Sequence, residues 1–174
     1  MTYQLIETKT LGSDTSSLSF TSIPQTYDDL VMLFSFRSNR ASFLDIILAT
    51  FNGDSSGRSY RTLEGTGSGV SSFTSSAIMA GAATGVSATS NTFSNCSFYI
   101  PNYRSSNAKS ASTDAVSENN ATSAVQYLTA SLWTGTAAIT SIELTPATGT
   151  LLIAGSTASL YGITKGSSGG VVVS

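Results

Sequence analysis

The chain is 174 residues long, 40% apolar and only 10% charged, with eight Lys and Arg against ten Asp and Glu, one cysteine and no histidine. The lone Cys96 excludes an internal disulfide, and the missing histidine excludes a Ser-His-Asp triad; basic residues spread singly from Lys9 to Lys165 offer no cluster that would release counterions from a nucleic acid. Serine and threonine make up roughly a third of the sequence, and both compete with a helix backbone for hydrogen bonds while threonine suits a pleated surface.

The expected elements are strands throughout. Thr2 to Glu7 opens the chain, followed by a short strand from Ser17 to Phe20. Pro24 lacks a donor and restrains Ile23, so TSIPQTYDDL reads as a loop. Asp29 to Ser38 carries Leu30, Met32, Phe34 and Phe36 on one face and Val31 and Leu33 on the other, the pattern of a central strand. Phe43 to Phe51 repeats it, and Asn52-Gly53-Asp54 closes it with hairpin chemistry, Arg58 to Leu63 returning.

Between Gly65 and Ser90 the composition turns to Gly, Ser, Thr and Ala, which predicts one weak strand over Ser72 to Met79 between loops. Asn91 to Ile100 alternates and ends at Pro101. A polar stretch then holds an edge strand around Ala111 to Val116, before strands at Val125 to Trp133 and Ile139 to Leu144. Leu151 to Ile153 and Ser159 to Thr164 complete the set, and the Gly/Ser-rich Gly166 to Ser174 is expected to form a flexible tail.

Many short strands joined by Gly, Asn and Ser turns point to one all-β domain over residues 1–165, a two-sheet antiparallel β-sandwich of jelly-roll type. No apolar run reaches the roughly 20 residues that span a bilayer, and the first residues carry no leader pattern, so the reading includes no membrane partner.

Candidate chemistry is sparse. Asp28, Asp29 and Asp54 are the acids that could gather around a calcium ion, against the plainer reading that Asp28 and Asp54 serve their own turns. Asp45, Asp114, Glu118 and Glu143 are available for glycoside hydrolysis, but spacing places no two of them across a scissile bond. Ser106-Asn107-Ala108-Lys109 fits S-x-x-K and Gly166 to Gly170 fits G-x-S-x-G by letter only, since the companion elements are missing. Cys96 sits on an apolar strand face and reads as a small buried hydrophobe, and Gly65 to Val70 as a flexible loop tip. Tyr27, Tyr60, Tyr103 and Trp133 lie near strand ends and are the candidate ligand or interface contacts, the alternative being that Tyr60 and Trp133 fill the core. No catalytic, cofactor or metal residue is assigned.

The order YQLIETKTLGS, IPQTYDDLVMLFSFRS, FNGD, SYR, FYIPNY, ENNATSA, LW, ITSIEL and SLYGI resembles small virion structural proteins of tailed bacteriophages, of the marine and cyanobacterial type. The resemblance spans Tyr3 to Ile163, and its most specific pieces are Ile23 to Leu30, Phe51 to Asp54 and Ile100 to Tyr103. It implies a non-enzymatic part of the particle surface, as capsid decoration or as a tail or fibre component. It also implies a homo-oligomer such as a trimer, bound to other virion proteins, assembled in the host cytoplasm and located in the virion. The alternative is a carbohydrate-binding receptor-recognition module of a tail fibre, contacting a host surface glycan through loop aromatics; neither reading calls for a cofactor.

Overall fold

The computed structural model describes residues 1–165, so the expected tail from Gly166 to Ser174 lies outside the described residues. Twelve strands run in chain order: β1 (Thr2–Thr10), β2 (Leu18–Phe20), β3 (Asp29–Ser35), β4 (Leu44–Phe51), β5 (Arg58–Gly65) and β6 (Val70–Ser75). After these come β7 (Ile78–Thr84), β8 (Asn95–Ile100), β9 (Lys109–Glu118), β10 (Ala124–Trp133), β11 (Ile142–Pro146) and β12 (Thr157–Thr164). Among the described residues there is no helix, and every pairing between these strands is antiparallel. The all-β, two-sheet expectation therefore holds.

One sheet has eight strands in the order β1-β12-β3-β8-β9-β10-β5-β6, and the other has four in the order β2-β11-β4-β7. The chain passes from one sheet to the other at each of the steps β1 to β2 to β3 to β4 to β5, again at β6 to β7 to β8, and at β10 to β11 to β12. Only β5–β6 and β8–β9–β10 are consecutive neighbours in a sheet.

The sheets face each other across a core with two textures. On the side of β3, β4, β8, β11 and β12 the inner faces carry Leu30, Met32, Phe34, Ile47, Phe51, Phe98, Ile142, Leu144 and Leu160, all buried. Phe51 of the small sheet lies 6.2 Å from Phe98 of the large one and 5.7 Å, edge-on, from Trp133. Each such side chain contributes about 1.5–3 kcal/mol by leaving water.

On the other side, β7 (IMAGAAT) is buried at every residue and lies against inward-facing Thr62, Thr113, Ser117, Thr129 and Ser131. β7 is the last strand of its sheet, and its free main-chain groups find partners on the facing sheet. The Thr113 hydroxyl donates to the Met79 carbonyl at 2.8 Å, and the Met79 N–H donates to the Ser131 hydroxyl at 3.3 Å. Ser94 donates to the Ala82 carbonyl at 2.7 Å, and the Ala82 N–H points at the Cys96 sulfur at 3.3 Å. Hydroxyls inside this core do the work of a missing neighbour strand, because an unpaired buried amide or carbonyl costs about 1–3 kcal/mol. Alanines and Gly81 let β7 approach closely: a Cβ on Gly81 would stand 2.5 Å from the Phe34 ring and 2.8 Å from the Cys96 sulfur.

Several elements differ from expectation. The weak strand predicted over Ser72 to Met79 is two strands in two different sheets, β6 and β7. β9 is not an edge: it pairs with β10 along its length and with β8 over Ser112 to Val116, and it lacks large apolar residues because its inner face meets the β7 backbone. The NGD turn forms as read, with Asn52 and Gly53 at positive φ and the Asp54 N–H bonded to the Phe51 carbonyl. β5 does not return beside β4, however; it crosses to the large sheet and pairs with β10. Leu152 makes only isolated bridges, with Thr15 and Ser38.

Candidate interaction surface

Three of the four rings singled out as ligand contacts are buried in the core: Tyr60 and Trp133, 6% and 3% exposed, take the core alternative, and Tyr103, 0% exposed, is corrected from a contact position to a core one. Tyr60 stands edge-on to Phe73, and Trp133 donates from Nε1 to the Asp54 carboxylate at 2.9 Å. Tyr103 donates its hydroxyl to the Pro24 carbonyl. Half-buried Tyr27 lies flat over Gly162, where a Cβ would meet its ring at 2.2 Å. Tyr60, Tyr103 and Trp133 therefore offer no free face of the kind sugar stacking needs.

The three acids proposed for an ion are each taken up by donors of the protein, and among the described residues no group of three acids, cysteines or histidines gathers. Asp28 accepts from Arg104 at 3.0 Å and from the Lys165 N–H. Asp29 is fully buried and accepts from the Tyr99 hydroxyl at 2.6 Å, the Asn102 N–H at 2.9 Å and the Lys165 ammonium at 2.9 Å. Burial alone would raise its pKa, but those three donors outweigh it and hold the carboxyl below its ordinary range. The Tyr99 phenol, desolvated and facing that charge, is pushed up to about 12. Asp54 is held low chiefly by Ser56, with Trp133 adding to it. The segments Ile23 to Leu30 and Ile100 to Tyr103 are thus one clasp, and Phe51 to Asp54 is a second one closed by Trp133.

The S-x-x-K letters also resolve into structure. Lys109 is 1% exposed, with its ammonium bonded to the carbonyls of Ser105 at 2.8 Å and Ala137 at 3.0 Å and lying 5.6 Å from the Trp133 ring; Ser106 is exposed and not among its partners. Burial lowers the pKa of that ammonium. Arg37 is its counterpart in the other loop region, buried and bonded to the carbonyls of Thr89, Thr92 and Ala88 at 2.9 to 3.1 Å. Each cation stands in for a core where a loop has none. Asp45 is buried and holds the Thr148 and Gly149 N–H groups, whereas Glu143 is exposed on β11. Cys96 is buried as expected, and burial raises its thiol to about 11.

The surface that stands out is the outer face of the large sheet from β9 to β6. Register places Ser97, Asp114, Leu128, Leu63 and Ser72 in one row across β8, β9, β10, β5 and β6. The next row is Tyr99, Ser112, Ala130, Arg61 and Thr74. Leu63 and Leu128 are cross-strand neighbours, each 62% exposed, with Leu132 at 40% and Val70 at 91% beside them. A shallow groove of about 550 Å³ runs along them between Arg61, Ser72, Thr74 and Ala130, and a second of about 770 Å³ shares Leu63, Ser72 and Leu128 and reaches Asp114 and Gln126. Apolar groups framed by hydroxyls, with exposed Arg61 and the two carboxylates Asp114 and Glu64, can bury area and exchange neutral hydrogen bonds.

Sequence reasoning passed over this face although the signal was present: in QYLTASLW, Leu128 and Leu132 fall on the phase opposite to Tyr127 and Trp133. The Gly65 to Val70 segment, read as a loop tip, is the tight β5–β6 turn, with the Thr66 N–H bonded to the Gly69 carbonyl and Gly67 at positive φ. Comparison of the chain with family models, with curated proteins and with solved structures gives no match.

Proposed function

We propose that this chain is a non-enzymatic structural protein of a bacteriophage particle, carried on the particle surface as capsid decoration or as a tail or fibre component. In this reading it works as a homo-oligomer bound to other virion proteins. The observation that carries the reading is the leucine-bearing outer face beside an open sheet edge, a surface suited to a protein neighbour and poor in groups that move protons. The clasp residues add to it, since the sequence pieces on which the proposed resemblance to phage structural proteins rests are spent on holding loops rather than on a ligand.

The architecture is read more finely as a jelly roll. The four-stranded order β2-β11-β4-β7 packs through β7 on β5, β8, β9 and β10 of the large sheet, and in this reading the three-stranded meander β8–β9–β10 takes the position of a single strand in the simplest form of that fold. Mass spectrometry of purified particles of the phage encoding this chain tests the function. The protein is expected at a fixed copy number per particle, with antibody label on the intact surface; its absence from washed particles overturns the reading. Glycan-array binding by the isolated protein would favour the receptor-binding alternative instead.

A further inference from the structure

The two sheets end in four outer strands, and three of these are shielded. β2 has three residues, too few to template a partner. β7 is capped from the facing sheet by Thr113, Ser131, Ser94 and Cys96. β1 breaks its register at Ile6 and carries Glu7 and Lys9, paired at 3.4 Å. Bulges, charges, short length and cover are the usual defences of an edge.

β6 has none of them. Val70 to Ser75 is six residues in unbroken register with β5, without charge, proline or bulge, and five of the six are exposed. Phe73 stands edge-on to Tyr60 and Tyr127 at 6.0 and 5.9 Å, yet its ring is only half-buried at the rim of the core.

We propose that β6 docks a second copy of this chain, pairing antiparallel with β6 of that copy about a two-fold axis centred on Phe73; this rests on the homo-oligomer reading above and names its contact. An antiparallel strand is complementary to itself, so each copy offers the donors and acceptors the other needs, and the two-fold axis leaves neither edge open. The electrostatics select this occupant. β6 is uncharged, its own copy brings no charge to it, and the nearest outer-face cation, Arg61, lies one strand back opposite Thr74. Glu64 of β5 already accepts from the Ser71 hydroxyl at 2.6 Å and from the Tyr127 hydroxyl, and an acidic peptide would find no cation along the strand.

Residues directly opposed in an antiparallel pair share a face. Centring on Phe73 therefore sets that ring against its copy on the inner face, covering its exposed flank, and sets Ser72 against Thr74 of the copy on the outer face. The Leu63–Leu128 face then continues across the axis. One six-residue ladder covers less than the roughly 800 Å² per partner typical of stable complexes, so the dimer should dissociate on dilution through the micromolar range.

Sedimentation velocity on the full chain over a dilution series tests this. The unaltered protein is expected to shift from dimer to monomer. A double variant Ser72→Lys with Thr74→Lys should stay monomeric at every concentration, with an unchanged circular-dichroism spectrum, and so should Ser72→Glu with Thr74→Glu. An equimolar mixture of the two should recover the dimer, because each introduced lysine faces an introduced glutamate. A monomer at all concentrations of the unaltered protein, or any oligomer that survives both double variants, overturns the proposal. A mixture that stays monomeric overturns the Phe73-centred register. The isolated protein is the sample throughout, so failure here leaves presence in the particle untouched, and absence from the particle leaves this contact untouched.

Discussion

β6 and β7 follow each other in the chain with only Ser76 and Ala77 between them, both are the last strands of their sheets, and they meet opposite conditions. β7 is buried at all seven residues and its free side is bonded to hydroxyls and a thiol; β6 has one partner strand and is exposed at five residues of six. The difference teaches how a serine- and threonine-rich chain disposes of sheet edges. One edge is folded under the opposite sheet, where small side chains and hydroxyls replace a ladder, and the other is left available. β6 (VSSFTS) is mostly hydroxyl side chains, whereas β7 (IMAGAAT) carries the alanine-glycine run that lets it come close.

Destroying that close approach should give the largest effect. Gly81→Val would drive a branched side chain into the Phe34 ring and the Cys96 sulfur, which already stand 2.5 and 2.8 Å from an ideal Cβ. Overpacking of this kind costs about 3 kcal/mol, equivalent to a fall of roughly 10 °C in Tm for a domain of this size, and urea unfolding measures it. A loss below about 1 kcal/mol would mean that β7 does not pack as tightly as its burial implies.

Removing a cap comes next. Thr113→Val keeps the shape and deletes the 2.8 Å bond to the Met79 carbonyl, leaving only the weaker Ser131 contact at 3.4 Å. The expected cost is about 1–2 kcal/mol, with native-state hydrogen exchange fastest to respond around Met79.

Cys96 reports on the same edge without altering it. The thiol is buried and raised to about 11, against an ordinary value near 8.5, so the folded state favours its protonated form. That contribution to stability is complete below the ordinary value and is lost as pH rises toward 11. At neutral pH a disulfide reagent should label Cys96 at least about 100-fold more slowly in the folded protein than in urea, because only molecules with an open core present a thiolate. Thr113→Val should narrow that ratio.

Much of this comparison was out of reach of periodicity. Long strands with bulky alternating residues, such as Asp29 to Ser35 and Ala124 to Trp133, announce themselves because each large side chain marks a face. β7 and β9 do not: their inner faces hold alanine, glycine and hydroxyls, whose purpose appears only when the opposite sheet is in place. For the same reason β9 looked like an edge and β6 merged with β7. Burial was legible as an alternative for Tyr60 and Trp133 but not for Tyr103, whose position depends on a partner about 79 residues away in sequence, Pro24. The outer leucines could have been read from their phase alone.

The smallest effect sharpens the comparison most. A single Ser72→Lys places a charge on an exposed side chain of β6, opposite Leu63, without removing a bond or entering the core. Its cost to the monomer should lie within about 0.5 kcal/mol, the range of surface substitutions away from special features. The same change ten residues further on, Ala82→Lys, inserts an ammonium into a site that is 0% exposed and bonded at its carbonyl by Ser94, so it should abolish folding. In chemical denaturation at a dilution where the chain is monomeric, Ser72→Lys should keep a cooperative transition near that of the unaltered protein and Ala82→Lys should show none. If Ser72→Lys instead cost more than about 2 kcal/mol under those conditions, the outer side of β6 would be covered within one copy, and the two edges would be alike after all.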